Sequence, residues 1–239
     1  MNNKLDKKNL VDFGIEKLYF QTQYNYLHRV FNKSSFNYGG RFYGGFHLQL
    51  PRELRKYILI NGEPTVELDY SAQHIRMIYH MEKIAYVEDP YLALCENEDE
   101  RKIYKLVLLV AINAPDEKTA VNGIRDALRK ARIDCSLTNE SILGYLEKFK
   151  GGHPFIAKYL NTGIGLTLQN LDSKIAEIIL MTMTEHEIPC LPVHDSFIVP
   201  EKHEDFLMTA MKDSYEEVMG FTPIVSVKEK GGILYEYYN

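Results

Sequence analysis

An α+β fold with a small antiparallel sheet packed by helices is predicted for this chain, from three observations. Short apolar strand-like runs stand at 64–69 and 190–200, far apart in the chain, with long stretches of helical periodicity between them. The second run, CLPVHDSFIVP, reads as two short strands joined by a tight turn through His194-Asp195. Strand and helix nowhere alternate in the regular way a doubly wound parallel sheet requires.

The elements follow in order. Apolar positions at helical spacing over 8–31 (Leu10, Phe13, Leu18, Leu27, Val30, Phe31) predict one or two helices. The Gly-rich stretch Tyr38-Gly39-Gly40-Arg41-Phe42-Tyr43-Gly44-Gly45 excludes regular helix. PTVELD at 64–69 is a strand that ends on a carboxylate, and a helix begins after Ser71 with Ile75, Ile78 and Tyr79 on one side. DERKIYKLVLLVAINA at 99–114 is a strong helix stopped by Pro115. Further helices are expected over 117–132, 139–149, 163–187 and 203–219, with a last strand near 223–229.

Composition places the chain among ordinary globular proteins, with 45% hydrophobic and 26% charged residues. No apolar run reaches the roughly 20 residues of a membrane span, so no membrane partner is expected. The start, MNNKLDKKNL, lacks the apolar core of a secretory signal. Cys95, Cys135 and Cys190 are far apart without metal-ligand spacing, which suits a reducing, cytoplasmic setting. The net charge of -5 hides a division: residues 1–60 carry ten Lys/Arg against four acids, and 61–239 carry 18 against 29. Within the acidic part, 101–150 is again basic. Two basic segments around an acidic remainder suit a groove for a phosphate backbone with carboxylates at its floor.

The residues that carry chemistry are Asp69, ending one apolar strand, and Asp195, at the turn between two others. Phosphoryl transfer to a hydroxyl uses two divalent ions about 4 Å apart, bridged by carboxylates on rigid elements. Magnesium prefers oxygen ligands and keeps several waters, so one or two protein carboxylates suffice. Either aspartate alone reads as a helix cap or a turn former. The surrounding text changes that weighing.

LDYSAQHIR at 68–76 resembles motif A of family A DNA polymerases, and PVHDSF at 192–197 resembles their motif C, with the Ser after the Asp as in phage-type single-subunit RNA polymerases. Between them, Arg101, Lys105, Leu109 and Asn113 recur every fourth residue and so share one helix face, resembling the fingers helix of that family. GGRFYGGFHLQLPRELRKYI at 39–58 resembles the Gly-Arg segment that leads into motif A, and Gln169 resembles the residue opening the long helix before motif C. These segments stand in the family's order across roughly 39–200.

The resemblance implies a polymerase palm with a short helical fingers subdomain and no full thumb, because the 38 residues before Gly39 are few for one. The implied layout is a helical segment over 1–38, the first part of the palm over 39–74, a fingers-like insertion over 75–160 and the second part of the palm over 161–239. It implies metal binding by Asp69, Asp195 and the backbone carbonyl of Tyr70, with two Mg2+ ions that Mn2+ can replace. Arg101 and Lys105 would neutralise a triphosphate, and His194 would lie near a primer terminus. Tyr70, His74, Leu109 and Asn113 would surround the incoming sugar and base. Arg41, Gln49, Arg55 and Gln169 would touch a template–primer duplex. The implied partners are DNA template and primer, nucleoside triphosphates, and a small accessory protein or helicase in place of the thumb. Thumbless relatives resemble primase-type polymerases of mobile genetic elements.

Two positions depart from the family. Family A DNA polymerases usually carry a Glu five residues after the motif A Asp, and here that position is His74. The last fingers position, usually aromatic, is Asn113. Both bear on sugar selection. A metal-dependent nuclease or an inactive palm acting as a nucleic-acid-binding subunit are the rival readings. The Arg101/Lys105 pair has no obvious task in the first, and the presence of both aspartates speaks against the second.

Overall fold

The computed structural model describes residues 26–133 and 137–230. Its first element is an antiparallel hairpin of β1 (His28–Asn32) and β2 (Ser35–Tyr43). The turn residues Lys33 and Ser34 both have positive φ, 52° and 49°, the geometry that matches the twist of the flanking strands. This corrects the helix expected to run to Phe31. Val30 and Phe31 are β-branched and aromatic, and pairing with β2 (Arg29 with Phe42, Val30 with Arg41) outweighs their helix-like spacing. Residues 8–25 of that expected helix lie outside the described residues.

After a short helical turn (Phe46–Leu48) and α1 (Arg52–Arg55), the chain enters a five-stranded sheet. Its strands are β3 (Leu59–Ile60), β4 (Glu63–Tyr70), β5 (Leu191–Val193), β6 (Ser196–Pro200) and β7 (Val225–Lys230). β4 is central: it pairs antiparallel with β6 from Thr65 to Asp69 and with β7 from Val66 to Tyr70. Successive side chains of β4 point to opposite faces. Val66, Leu68 and Tyr70 are buried in the main core, which leaves Glu67 and Asp69 together on the other face.

The helices are α2 (Gln73–Met81), α3 (Glu98–Asn113), α4 (Glu117–Lys130), α5 (Asn139–Gly152), α6 (Gly165–Glu185) and α7 (Glu204–Met219). Three of them start on the residue types that satisfy orphan amides: Asn97, Asp116 and Thr138 each accept from a backbone N–H of the first turn. Ile103, Val107, Leu108, Ala111 and Ile112 of α3 pack with Ile124 and Leu128 of α4 and Ile142, Leu146 and Phe149 of α5. This helical part shares one continuous core with the sheet and with α2, α6 and α7. No helix among the described residues is long and apolar enough to cross a membrane.

The hairpin is clamped to α6 by polar side chains that would be poorly placed in an isolated helix. Asn170 donates to the carbonyls of Phe36 (2.8 Å) and Gly39 (3.2 Å), and Arg29 of β1 bonds Ser173 (2.9 Å) and pairs with Glu177 (2.7 Å). Close approach here depends on Gly40, at φ +97°, where an added Cβ would lie 2.8 Å from both Phe31 and Ser173 Oγ. Within the Gly-rich stretch, Gly40 thus serves to seat one strand against a helix. Gly40→Ala is expected to lose about 2–4 kcal/mol through backbone strain and overpacking. Urea denaturation measures this, and a loss below about 0.5 kcal/mol would show that the contact relaxes freely.

Candidate active site

Asp69 comes near Asp195 through strand register. Asp69 pairs with Ser196 across the β4–β6 ladder, and the two-residue turn His194-Asp195 closes the β5–β6 hairpin beside it. The amide of Tyr70 donates to the carbonyl of Asp195 at 3.2 Å, locking the turn to the end of β4. His194 takes a positive φ of 59°, and Ala72, just after the strand, takes 48°. Such conformations cost on the order of 1 kcal/mol or more each in non-glycine residues and persist only where the surroundings impose them. Here they flank the two carboxylates.

The electrostatics are those of a site short of positive charge. Burial, then the charge of Asp195, pushes the Asp69 carboxyl up to about 6, while Lys228 pulls it partly back. Oδ1 of Asp69 is buried without a hydrogen-bond partner, and the Lys228 ammonium lies 3.7 Å from it. A carboxylate oxygen left unsatisfied beside a second carboxylate fits a hard divalent cation, so the donor set agrees with magnesium or manganese. Among the described residues no group of three or more His, Cys, Asp or Glu is arranged to hold a metal. The pair would therefore leave several coordination positions to water or substrate.

Around the pair lies a ring of charged and polar groups. Arg41 reaches from β2 to Asp172 of α6, with Nε 2.7 Å from Oδ2, and its guanidinium also donates to Nε2 of His74 at 3.1 Å. A guanidinium only donates, so His74 accepts in its neutral form. Burial, then the neighbouring Arg41, holds His74 down at about 4, consistent with that assignment. Asp172 is raised to about 6 by burial in spite of Arg41, with Asp195 adding to the shift. His194 is lowered by burial and Arg41, its Nδ1 is buried without a partner, and its ring meets the edge of Tyr43 at 5.6 Å.

Other expected residues lie elsewhere. Arg101 pairs with Asp89 and sits over the Tyr91 ring, while Lys105 is exposed 6.0 Å from the same ring. Leu109 and Asn113 continue that row on the exposed face of α3, where Asn113 bonds back to the Leu109 carbonyl at 2.6 Å. Gln49 is exposed after the short helical turn, and Gln169 is half-buried on α6. Arg55 is the exception: it stands 3.8 Å from Glu67 on the site face of β4, and its charge helps lower His194. Tyr70 offers its backbone to the site while its hydroxyl donates to Met211 O at 2.5 Å in the core.

Sequence reading missed several groups. Glu67 shares the site face of β4, and two-residue alternation from Asp69 was the signal that could have found it. Asp172 is a buried acid inside an apolar helix, visible in LTLQNLDSK but passed over for Gln169. His47 is fully buried and donates from Nε2 to the carbonyl of Pro192 at 2.8 Å, tethering the β5–β6 hairpin. Lys228 had no local signal at all.

No family model matches the sequence, and no curated protein matches it. Among solved structures, the fold is similar to the POL domain of Pol1 from M. smegmatis, solved in complex with DNA primer-template and dNTP. The TM-score is 0.45 at 11% identity over 80% of this chain. The chain spans 45% of the length of that structure.

Proposed function

We propose that this protein is a divalent-metal-dependent, template-directed nucleotidyltransferase of the family A polymerase type. The observation that supports it most is the register pairing that sets Asp69 beside Asp195, with an unsatisfied carboxylate oxygen between strand and turn. Asp69, Asp195 and the carbonyl of Tyr70 would hold Mg2+, or Mn2+ in its place. When bound, the ions would supply charge neutralisation for attack of a primer 3′-hydroxyl on the α-phosphate of a nucleoside triphosphate. The protein's own share is positioning. The locked hairpin fixes Asp195, and Arg41 with Asp172 fixes His74 beside the pair. Arg101, Lys105, Leu109 and Asn113 share one face of α3, where Lys105 is exposed and Arg101, now paired with Asp89, would have to exchange that partner for the nucleotide's phosphates. Such a reaction needs orientation and electrostatic stabilisation more than covalent chemistry.

Within that reading we favour primer synthesis or short extension on single-stranded DNA. Gln49, Arg41, Arg55 and Gln169 would lie toward template and primer. A small accessory protein or a helicase would add grip on the product, as in primase-type polymerases of mobile genetic elements.

The test uses the purified chain with primed and unprimed single-stranded DNA, Mg2+, and labelled dNTPs or NTPs. Extended product, lost in Asp195→Ala, is the expected result. Shortened substrate would overturn the reading in favour of a nuclease, and binding without either product in favour of an inactive palm. The same assay reads sugar selection. Asn113→Ala is expected to shift the preference between dNTPs and NTPs by roughly tenfold, the scale of one lost hydrogen bond to a 2′-hydroxyl. Unchanged discrimination would remove Asn113 from that role.

A further inference from the structure

Lys228 occupies a position that the proposed reaction does not explain. Its ammonium stands 3.0 Å from Glu67 Oε1, 3.4 Å from Ser196 Oγ and 3.7 Å from Asp69 Oδ1, and its side chain is only 18% exposed. Glu67 is itself buried and accepts from Ser196 Oγ at 2.6 Å. Lys228 arrives there through an irregularity of the β4–β7 ladder. Leu68 pairs with Val227 and Glu67 with Glu229, so Lys228 is the extra residue of a bulge. Bulges re-aim a side chain at the cost of a ladder position, and are found next to active sites.

The charges explain what the bulge accomplishes. Three carboxylates, Glu67, Asp69 and Asp195, lie on or beside one face of the sheet. Arg55 approaches Glu67 only to 3.8 Å and makes no ion pair with Asp69. Among the described residues Lys228 is the cation that reaches both β4 acids, and Ser196 ties it to the strand that follows the Asp195 turn. A cation fixed beside Asp69 holds the carboxylate in place when no metal is bound. The same charge opposes entry of a divalent ion.

Resting on the metal-site reading above, we propose that Lys228 is a positioning residue that sets the divalent-ion affinity of the Asp69–Asp195 pair, acting as a resident counter-charge held on Glu67 and Ser196. It makes binding weaker than two unopposed carboxylates would, and thereby keeps the ions exchangeable.

Mn2+ titration followed by electron paramagnetic resonance tests this without any turnover. Lys228→Met is expected to bind Mn2+ roughly tenfold more tightly than wild type, the scale of one charge acting on a divalent ion across a few ångströms of wet protein. Lys228→Arg, which keeps the charge, is expected to stay within about twofold of wild type. If Lys228→Met does not fold, Glu67→Gln is compared with Glu67→Gln/Lys228→Met, in which Glu67 is no longer a buried carboxylate deprived of its cation. The same roughly tenfold tightening is expected there. Equal Mn2+ affinity with and without Lys228 would overturn the proposal while leaving the metal site standing. Failure of the wild type to bind Mn2+, or binding unaffected by Asp195→Asn, would instead overturn the metal-site reading itself.

Discussion

Asp69→Asn is expected to abolish nucleotide incorporation while making the metal-free protein more stable at neutral pH. The loss of activity should be at least about a thousandfold, equivalent to roughly 4 kcal/mol of barrier, because the proposed mechanism loses one of its two metal-holding carboxylates. The gain in stability comes from the carboxyl's own discomfort. Burial and Asp195 raise it to about 6 in the folded chain, from an ordinary value of 3.8. A carboxyl raised by folding favours the folded state only while protonated. Its contribution is therefore neutral near pH 4, turns unfavourable as pH rises toward 6, and stays so above. Asn removes that penalty, and a gain of roughly 1–3 kcal/mol is expected at pH 7.5 without divalent ions. The gain should shrink toward zero near pH 4. Thermal unfolding at the two pH values, with metal chelated, measures it; equal melting temperatures at pH 7.5 would show that Lys228 already neutralises the group.

Arg41→Ala is expected to be the most destabilising single change in the site. Asp172 has 2% of its side-chain surface exposed, and Arg41 is its ion-pair partner at 2.7 Å. Removing the guanidinium leaves a buried carboxylate without a cation, a loss of about 3–5 kcal/mol. Asp172 is already raised to about 6, so at pH 5 it can take up a proton cheaply and at pH 8 it cannot. The destabilisation should therefore be larger at pH 8 than at pH 5. Arg41→Met/Asp172→Leu should recover most of the loss, since apolar replacement of a whole buried pair is often neutral or stabilising. Urea denaturation of both variants at the two pH values is the check. A loss independent of pH, or no recovery in the double variant, would show that Arg41 acts by packing alone. His74 should also lose its donor in Arg41→Ala, so nucleotide selection should change alongside stability.

Much of the frame was readable from local signals. Each of the helices α3 to α7 overlaps its expected range, because apolar periodicity, Asn97, Asp116 and Thr138 as caps, and Pro115 as a stop act over a few residues. The strand before Asp69 and the hairpin through His194-Asp195 were legible for the same reason. The hairpin β1–β2 was not, since Val30 and Phe31 become strand residues only when β2 pairs with them. Within the site, the aspartates could be named from their motifs, but their neighbours could not. Arg41 and Asp172 are 131 residues apart, and Lys228 meets Glu67 only through a bulge in a strand near the end of the described chain.

The sequence by itself determined which residues could form strands and helices and which carboxylates could carry chemistry, because propensity, capping and two- or four-residue periodicity are short-range. Only the tertiary structure decided that Glu67, Asp172 and Lys228 belong with Asp69 and Asp195. Charge pairing in a buried site depends on strand register and helix docking, which arise from the packing of the whole core rather than from any one segment. Glu67, Asp69 and Asp195 thus lie on or beside one face of the sheet, with Lys228 brought to the two β4 acids by the fold.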